Sequence, residues 1–221
     1  MRDLGILLQE FDTLGALYSI LGVIMLSGPR TDELRSFANK WEQMGIECCG
    51  EGEGAVDGIN GILETVRKAS NERMQALDLE YTRLFVGPGL PPSPQTASYY
   101  LGETEGKMQI GEETSAVLGF YEKYGVVPAF ESNYPADHIG VEFLFMAMVV
   151  GDATGNASID AGANERFALQ FDFLQQHIMT WVPQFAAGIK KSTDDSFYLE
   201  LARLVEALPM RHCEKLKLLG I

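Results

Sequence analysis

The sequence predicts an all-α protein, and three observations favour that class. Apolar residues recur every three or four positions through most of the chain, which is the spacing of one face of a helix. No stretch of strand length alternates apolar and polar residues, and strands do not alternate with helices. Clusters of glycine and proline separate the periodic stretches, as they do between helices. We therefore expect a bundle of about nine to eleven helices.

The first two helices are defined by apolar spacing and by the residues at their ends. A long first helix is predicted to stop at the pair Gly28 and Pro29, since glycine and proline together end a helix. Thr31 can cap a second helix that runs to about Met44. The segment 45–54, rich in glycine and glutamate, is predicted to be an exposed loop.

Three further helices are predicted before the middle of the chain. One spans roughly 55–69, the next is capped by Ser70 or its neighbour and ends near Val86, and the third covers about 112–125. The segment 87–94, Gly-Pro-Gly-Leu-Pro-Pro-Ser-Pro, cannot be helix or central strand because of its prolines. We expect a rigid loop there.

Residues 134–150 are the stretch around which we expect the fold to be organised. After Glu142 the stretch is apolar on every side, so as a helix it would have no solvent face and should be buried at the centre. Pro135 suits a first helical turn, and Asp137 in that turn would favour the helix dipole. His138 and Glu142, four residues apart, share one face. This polar end is either an internal hydrogen-bonded cluster, the commoner case, or a functional site.

The helical pattern continues to the C-terminus. Residues 126–133 are predicted to connect into the central helix, and 151–162 to form a polar loop. Apolar residues at helical spacing over 167–185 predict an amphipathic helix with a kink or break at Pro183. A last main helix follows residues 194–195.

Composition and charge restrict the classes of partner. The chain has 221 residues, 46% hydrophobic and 22% charged, as in ordinary soluble globular proteins. Its formal net charge of −14 argues against DNA, RNA or an anionic membrane surface, because neutralising phosphates requires clustered lysine and arginine. Cationic partners are favoured. The three cysteines suit a reducing cytoplasm and match neither zinc nor CxxC spacing.

No export signal or membrane-spanning helix is predicted. The uncharged stretch 13–29 follows acidic residues, where a signal peptide would be basic, and residues 27–30 make a poor cleavage site. The apolar part of 134–150 is shorter than the ~20 residues that span a bilayer. We therefore expect a cytoplasmic protein without membrane insertion.

Common catalytic signatures are missing from the sequence. It has no P-loop, no HExxH, no GxSxG and no paired-cysteine metal site. Asp137, His138 and Glu142 can be imagined around a metal as one imidazole and two carboxylates, although adjacent helical residues rarely point at one ion. No complete catalytic site, metal site or cofactor is predicted.

A binding role is the remaining possibility. The fourth predicted helix carries Tyr81, Leu84 and Phe85 into the proline-rich loop. At helical spacing such residues more often form core than a groove. If part of this face is exposed, it suits an apolar helix in a groove with an acidic rim, to which flexible methionine side chains, 9 in this chain, adapt.

Four motifs, in order, resemble the TorD/DmsD family of redox-enzyme maturation chaperones. Residues 80–88, Glu-Tyr-Thr-Arg-Leu-Phe-Val-Gly-Pro, are similar to its Tyr-x-x-Leu-Phe-x-Gly-Pro signature, and residues 98–100, Ser-Tyr-Tyr, to its Ser-x-Tyr. Residues 135–139, Pro-Ala-Asp-His-Ile, resemble its hinge motif, and 173–185 resemble its Phe-Leu-x-x-His-x-x-x-Trp-x-x-x-Phe helix. The resemblance extends from the first helix to Leu204, and the four motifs together are specific.

The resemblance implies an all-helical fold of two lobes joined by a hinge. We accordingly predict an N-terminal lobe at 1–125, a hinge at 126–135 and a C-terminal lobe at 136–221, which can pack as one globular unit. Members of the family bind the twin-arginine leader, or another part, of an apo-molybdoenzyme of the dimethyl sulfoxide reductase type, and hold it until molybdopterin is inserted. The predicted partner is therefore such a catalytic subunit with its leader. The chain is expected to be a monomer or a domain-swapped dimer.

The resemblance also implies which residues contact the partner. A leader with a basic segment followed by an apolar one would complement an acidic rim around an apolar groove. The chain departs from the family at Tyr134, where glutamate usually precedes the hinge proline, and at Tyr81, where some leader-binding members have tryptophan. The residues carried over as leader- or partner-binding are Tyr81, Leu84, Phe85, Ser98, Tyr100, Pro135, Asp137, His138 and Glu142.

Two other functions remain open from the sequence. One is an assembly factor of the same broad family that guards a leaderless catalytic subunit of the nitrate reductase type. The other, less favoured, is a small metal-dependent hydrolase built on Asp137, His138 and Glu142.

Overall fold

The computed structural model describes residues 4–30, 32–44, 55–102, 111–126, 133–156 and 163–221. Within these ranges the protein contains helices and no strand, and the only β-type pairing there is an isolated antiparallel bridge between Thr96 and His138. The predicted all-α class is confirmed. The helices of the described residues are α1 (Leu4–Ser27), α2 (Asp32–Met44), α3 (Ala55–Lys68), α4 (Asn71–Tyr81), α5 (Ala97–Leu101), α6 (Glu112–Lys123), α7 (Ile139–Asn156), α8 (Ala163–Phe173), α9 (Met179–Ser192) and α10 (Ser196–Leu218), with π-helical segments at Thr82–Val86 and Leu174–Ile178.

The pair formed by α1 and α7 is the centre of the fold, and it is the most extensive helix–helix contact among the described residues. Glycines permit the close approach. A Cβ atom on Gly140 would lie 2.6 Å from Leu26 Cγ, and one on Gly22 would lie 2.9 Å from the Leu144 side chain. Any larger residue at these positions would push the two helices apart, because protein interiors are close-packed.

Helix α1 ends at a glycine, and its apolar composition reflects its burial in the core. Gly28 has a φ of 76° and its N–H donates to Ile24 O at 2.9 Å, a left-handed helix end that favours glycine. By length and composition alone, the window Glu10–Ser27 is apolar enough to cross a membrane, with a mean hydropathy of 1.3. In the fold, 56% of this window is buried, and the helix packs on α7 and α10.

The last helix, α10, packs on α9, α3 and α1. Asp195 caps it by accepting a hydrogen bond from Phe197 N–H at 3.0 Å. Arg73 at the start of α4 donates two hydrogen bonds to the same carboxylate, at 2.6 and 2.8 Å, and these hold the pKa of Asp195 below its usual value. The predicted helix after residues 194–195 is confirmed, and its cap also ties α4 to α10.

The central helix, α7, differs from the prediction at its start and on one side. It begins at Ile139, so Pro135 and Asp137 lie in the turn before the helix and not in its first turn. Leu144 and Met148 are 37% and 45% exposed, so α7 is not buried on every side. Leu144 borders the contact with α1 at Gly22, and both side chains remain partly exposed to solvent.

The end of α7 and the predicted break in α9 also differ from the sequence prediction. Helix α7 continues through 151–156, predicted to be loop, because Ala153 there is fully buried and packing overrides weak helix propensity. Pro183 lies inside α9 without a break. Buried Trp181 and Phe185 on either side of it hold the helix in place, and the irregular turn is the π-helical segment upstream.

Helices from both sides of residues 126–135 pack on each other, α1 on α7 and α3 on α10. The division into lobes at 1–125 and 136–221 stays a prediction. The predicted loop 45–54 and most of the predicted connector 126–133 lie outside the described residues.

Candidate functional site

Two segments that are distant in sequence meet at the start of α7. Backbone hydrogen bonds join residues 95–98 to the turn 135–138: Ala97 N–H donates to the turn at 3.0 Å, and Ile139 N–H donates back at 2.8 Å. We call these two segments the loop–turn junction. It brings the predicted Ser-x-Tyr motif against the predicted hinge motif.

Asp137 fixes this junction with its side chain. It is fully buried, and its two oxygens accept hydrogen bonds from Ser98 N–H at 2.8 Å and from the Thr114 hydroxyl at 2.9 Å. Ser98 belongs to α5 and Thr114 to α6. Asp137 is therefore the buried acceptor that ties the turn to two helices.

His138 is the second side chain of the junction, and it is 5% exposed. The backbone N–H of His138 donates to Pro135 O at 3.1 Å and closes the turn. The ring Nδ1 accepts from Gly140 N–H at 3.1 Å, so Nε2 carries the proton and donates to Gln95 Oε1 at 3.2 Å. Burial lowers the pKa of His138 to about 4, against the opposing effect of Asp137. The imidazole is therefore a neutral structural group at pH 7.

The junction also satisfies the last carbonyl groups of α1, which have no partner within the helix. Met25 O accepts from the Tyr81 hydroxyl and from Gln95 Nε2, both at 2.8 Å. Leu26 O accepts from the Tyr134 hydroxyl at 2.6 Å. Gln95 thus joins His138 to the end of α1.

The residues predicted to line a groove lie in the core. Tyr81, Leu84 and Phe85 are 8%, 0% and 5% exposed. The Phe85 ring packs 6.0 Å from both Phe185 and Tyr198, so this face holds α4 against α9 and α10. These side chains would reach a guest only after a rearrangement, and their role in binding stays a prediction.

Glu142, in the first turn of α7, is fully buried, and neither of its carboxyl oxygens has a hydrogen-bond partner in the described protein. Burial raises its pKa well above the usual value, and the charge of Asp137 raises it further, while the nearby Trp181 indole opposes both effects. The neutral form of the carboxyl is therefore favoured over the charged form.

Trp181 lies beside Glu142, and Tyr100 packs on Trp181. Their rings stack with centroids 5.5 Å apart and planes 25° apart. The Tyr100 hydroxyl is buried without a hydrogen-bond partner among the described residues.

The three residues of the hydrolase alternative do not form a metal site. His138 uses both ring nitrogens within the protein, and Asp137 uses both oxygens. Among the described residues, no group of three His, Cys, Asp or Glu side chains is placed to hold an ion. The arrangement orients backbone and side chains and contains no nucleophile paired with a base.

Comparison with known protein families shows to which family the chain belongs. The family model for the nitrate reductase delta subunit matches residues 52–187, more than half of the chain. The chain belongs to this family.

Curated relatives agree with the predicted resemblance to TorD/DmsD. This chain is 26% identical to the chaperone protein TorD of Vibrio parahaemolyticus over 79% of its own length and 77% of the relative. It is 28% identical to TorD of Photobacterium profundum over 69% and 68% of the two chains. It is 27% identical to the probable Tat proofreading chaperone DmsD of Haemophilus influenzae over 59% and 57%. The TorD/DmsD resemblance is confirmed.

A solved structure shows the same fold. The crystal structure of a proposed redox enzyme maturation protein from Archaeoglobus fulgidus superposes with a TM-score of 0.54 and 22% identity, covering 89% of this chain and 91% of that chain. At this identity the likeness supports the fold only.

Sequence analysis of this TorD/DmsD family member missed two residues of the junction. Gln95 contacts His138 and Met25, and Thr114 contacts Asp137. Neither belongs to a motif, because a lone polar residue in a loop or on a helix gives no local signal. Their burial, 7% and 4% exposed, appears only in the fold.

Three of the exposed apolar residues of this TorD/DmsD family member lie beside the signature motif in sequence and not at its named positions. Leu79, Val86 and Leu90 are 73%, 55% and 55% exposed. In sequence they flank buried Leu84 and Phe85, and Leu90 belongs to the proline-rich loop. We call these three residues the signature-flanking surface.

Proposed function

We propose that this protein is a cytoplasmic chaperone for a molybdoenzyme of the dimethyl sulfoxide reductase type. It binds the twin-arginine leader, the apo-enzyme or both, supports cofactor insertion before export, and catalyses no reaction. The observation that carries this proposal is family membership together with relatives named TorD and Tat proofreading chaperone.

Charge and surface composition support such a guest. The net charge of −14 raises the encounter rate with a basic segment. The signature-flanking surface presents exposed apolar side chains, which suit the apolar part of a leader. The motif residues behind this surface, with the loop–turn junction, would set its shape.

The first experiment is a pull-down of the tagged full-length chain from its native host, with mass spectrometry of the bound proteins. Recovery of one molybdoenzyme catalytic subunit that carries its leader and lacks cofactor is the expected result. Recovery of none, in cells that make such an enzyme, contradicts the proposal.

A matched pair of double variants then tests the surface. Val86→Ser with Leu90→Ser should weaken leader binding about tenfold, since each loses apolar contact area. Met210→Ser with Leu218→Ser is the control, because these residues of α10 are similarly exposed, 50% and 64%. Equal affinity for the two double variants would exclude the signature-flanking surface as the binding site.

A second function is favoured by the description of the matching family model, nitrate reductase delta subunit. In that case the client would be a leaderless catalytic subunit of the nitrate reductase type. The pull-down separates the two, because only the first client has two consecutive arginines near its N-terminus.

A further inference from the structure

The two central helices present an uncharged surface to solvent. Residues 13–29 of the chain and residues 143–151 contain no Asp, Glu, Lys or Arg, although the formal net charge is −14. Exposed and partly exposed residues of α1 and α7 recur there with the 3-4-3 spacing of one helix face. They are Ala16, Ser19, Val23 and Leu26 on α1, and Val141, Leu144, Met148 and Gly151 on α7. We call these residues the α1–α7 face.

The two helices run antiparallel along a seam of close contact. A Cβ atom on Gly22 would lie 2.9 Å from the Leu144 side chain, and one on Gly15 would lie 3.4 Å from Val150 Cγ1. Earlier residues of α1 therefore lie beside later residues of α7.

Both rows of the α1–α7 face lie on the same side of this seam. On α1, Val23 follows the seam residue Gly22 by one position, and on α7, Val141 follows the seam residue Gly140. One position is a rotation of about 100° around a helix axis. In an antiparallel pair, equal rotations away from the seam bring the two rows to one side. The rows therefore form a continuous, largely apolar surface, about 15 Å long at 1.5 Å per residue of helix.

Carboxylates lie at one end of this surface. Asp12 is exposed one helical turn before Ala16 on α1, and Asp152 follows Gly151 on α7 with its side chain 55% exposed. Because the helices are antiparallel, both carboxylates lie at the same end. Arg166 from α8 lies 3.7 Å from Asp152, so two carboxylates and one guanidinium leave this end acidic.

This distribution of charge fits a leader helix in one orientation. A twin-arginine leader has a basic segment followed by an apolar one. The apolar segment, as a helix, can bury one row of side chains along the α1–α7 face, while the basic segment is attracted to the carboxylates at its end. A second copy of the chain is less suited, because two chains that each carry a net charge of −14 repel each other.

We propose that the α1–α7 face binds the apolar helix of the guest leader, with the arginines of the leader beside Asp12 and Asp152. The inference rests on the proposed leader-binding function, and it adds a surface outside the signature motif to the one already named.

The first test is fluorescence anisotropy of the full-length protein with a labelled peptide that has the leader sequence of the reductase recovered in the pull-down. Leu144→Ser with Met148→Ser should raise the Kd about tenfold, because apolar contact area is lost. Met210→Ser with Leu218→Ser is the matched control, since it changes the same two residue types on α10, and it should leave the Kd unchanged. A circular dichroism melt confirms that both double variants are folded.

Charge reversal tests the orientation without altering the apolar surface. Asp12→Lys should raise the Kd about fivefold at low salt, since an attraction becomes a repulsion. Glu122→Lys, at an exposed position of α6, changes the net charge by the same amount and should have a smaller effect. A peptide with glutamate in place of both arginines should recover more affinity with Asp12→Lys than with Glu122→Lys.

The outcomes separate this inference from the proposed function. Leader binding with equal affinity for the two apolar double variants, or for the two lysine variants, overturns the α1–α7 site and leaves the chaperone function standing. Weaker binding by Leu144→Ser with Met148→Ser supports the site, whatever the result for Val86 and Leu90. If the wild type binds no leader and recovers no client subunit, both proposals are overturned.

Light scattering of the purified protein tests the alternative occupant. A wild-type dimer that Leu144→Ser with Met148→Ser separates into monomers would show that the α1–α7 face is a contact between copies, and would overturn the proposal. The same oligomeric state for the wild type and this double variant is the expected result.

Discussion

Asp137 and Glu142 are five positions apart and both fully buried, but they differ in their hydrogen bonding. Asp137 accepts two hydrogen bonds, from α5 and α6. Glu142 accepts none from the described protein. The first arrangement is what structural polar groups show, because a buried polar group without a partner is costly. The second departs from that rule, and burial raises the pKa of Glu142, with a further increase from Asp137.

A second buried network shows that histidine with polar neighbours is not by itself a functional sign here. His212 lies between the Tyr18 hydroxyl at 3.3 Å and Gln170 Oε1 at 3.1 Å, and it joins α10 to α1 and α8. His138 has the same kind of partners. Both networks tie helices together and so support stability.

The largest expected effect is loss of stability in acid, because both histidines are buried in neutral form. Burial lowers the pKa of His138 to about 4 and that of His212 to about 3, so between pH 6.5 and 4 the unfolded chain binds protons that the folded chain does not. The free energy of unfolding should fall by ~3 kcal/mol per histidine over this range. Urea titrations at several pH values measure it. His138→Gln should reduce the slope, and an unchanged slope would show that His138 is not held neutral.

Asp137→Ala should come next, with a loss of about 4 kcal/mol, because two buried donors lose their acceptor at ~1–3 kcal/mol each and a cavity is added. Equilibrium unfolding in urea is the measurement. Thr114→Val removes only the hydroxyl donor and should cost about 1 kcal/mol. A loss of stability for Asp137→Ala that is smaller than the loss for Thr114→Val would contradict the role of Asp137 as the central acceptor.

Glu142→Gln should have the opposite pH dependence. Because the pKa of Glu142 is raised in the folded state, its contribution is present at low pH and is lost as pH rises above 4.5 toward the folded value. The histidines titrate in both proteins, so the difference in stability between wild type and variant isolates Glu142. Wild type should lose up to ~1.4 kcal/mol per pH unit relative to the variant as the pH rises above 4.5. Parallel stability curves above that pH would refute a raised pKa of Glu142.

The smallest effect is expected from Tyr81→Phe, about 1 kcal/mol. The variant removes one donor to Met25 O, but Gln95 Nε2 still donates to the same carbonyl. Thermal unfolding is sufficient to measure it. Gln95→Leu, which also breaks the contact with His138, serves as the larger reference, and a cost for Tyr81→Phe equal to that of Gln95→Leu would indicate that Gln95 does not support the carbonyl.

The sequence predicted local structure well where the signal is local. Gly28 ends α1, Ser70 caps α4 by accepting from Arg73 N–H at 3.2 Å, and the helix predicted after residues 194–195 begins at Ser196. Each of these depends on a few neighbouring residues. The start of α7 was beyond such reasoning, because the turn 135–138 is held by partners about 40 residues away, on 95–98.

The same limit applied to the candidate site: the sequence grouped some of its residues correctly but did not show which of them are buried. The resemblance grouped Ser98 with Asp137, and the structure joins them at 2.8 Å. It did not show that Leu84 and Phe85 are buried, since a core face and a groove have the same apolar spacing.

The sequence by itself determined the all-α class, most helix ends, the acidic charge and the family motifs, because periodicity, capping and composition are properties of neighbouring residues. Only the tertiary structure decided which buried polar groups are satisfied. Gln95 and Thr114 became junction residues, and Glu142 became an unpaired carboxyl beside Trp181. Hydrogen bonding and desolvation depend on atoms brought together from distant parts of the chain, and no local pattern records them.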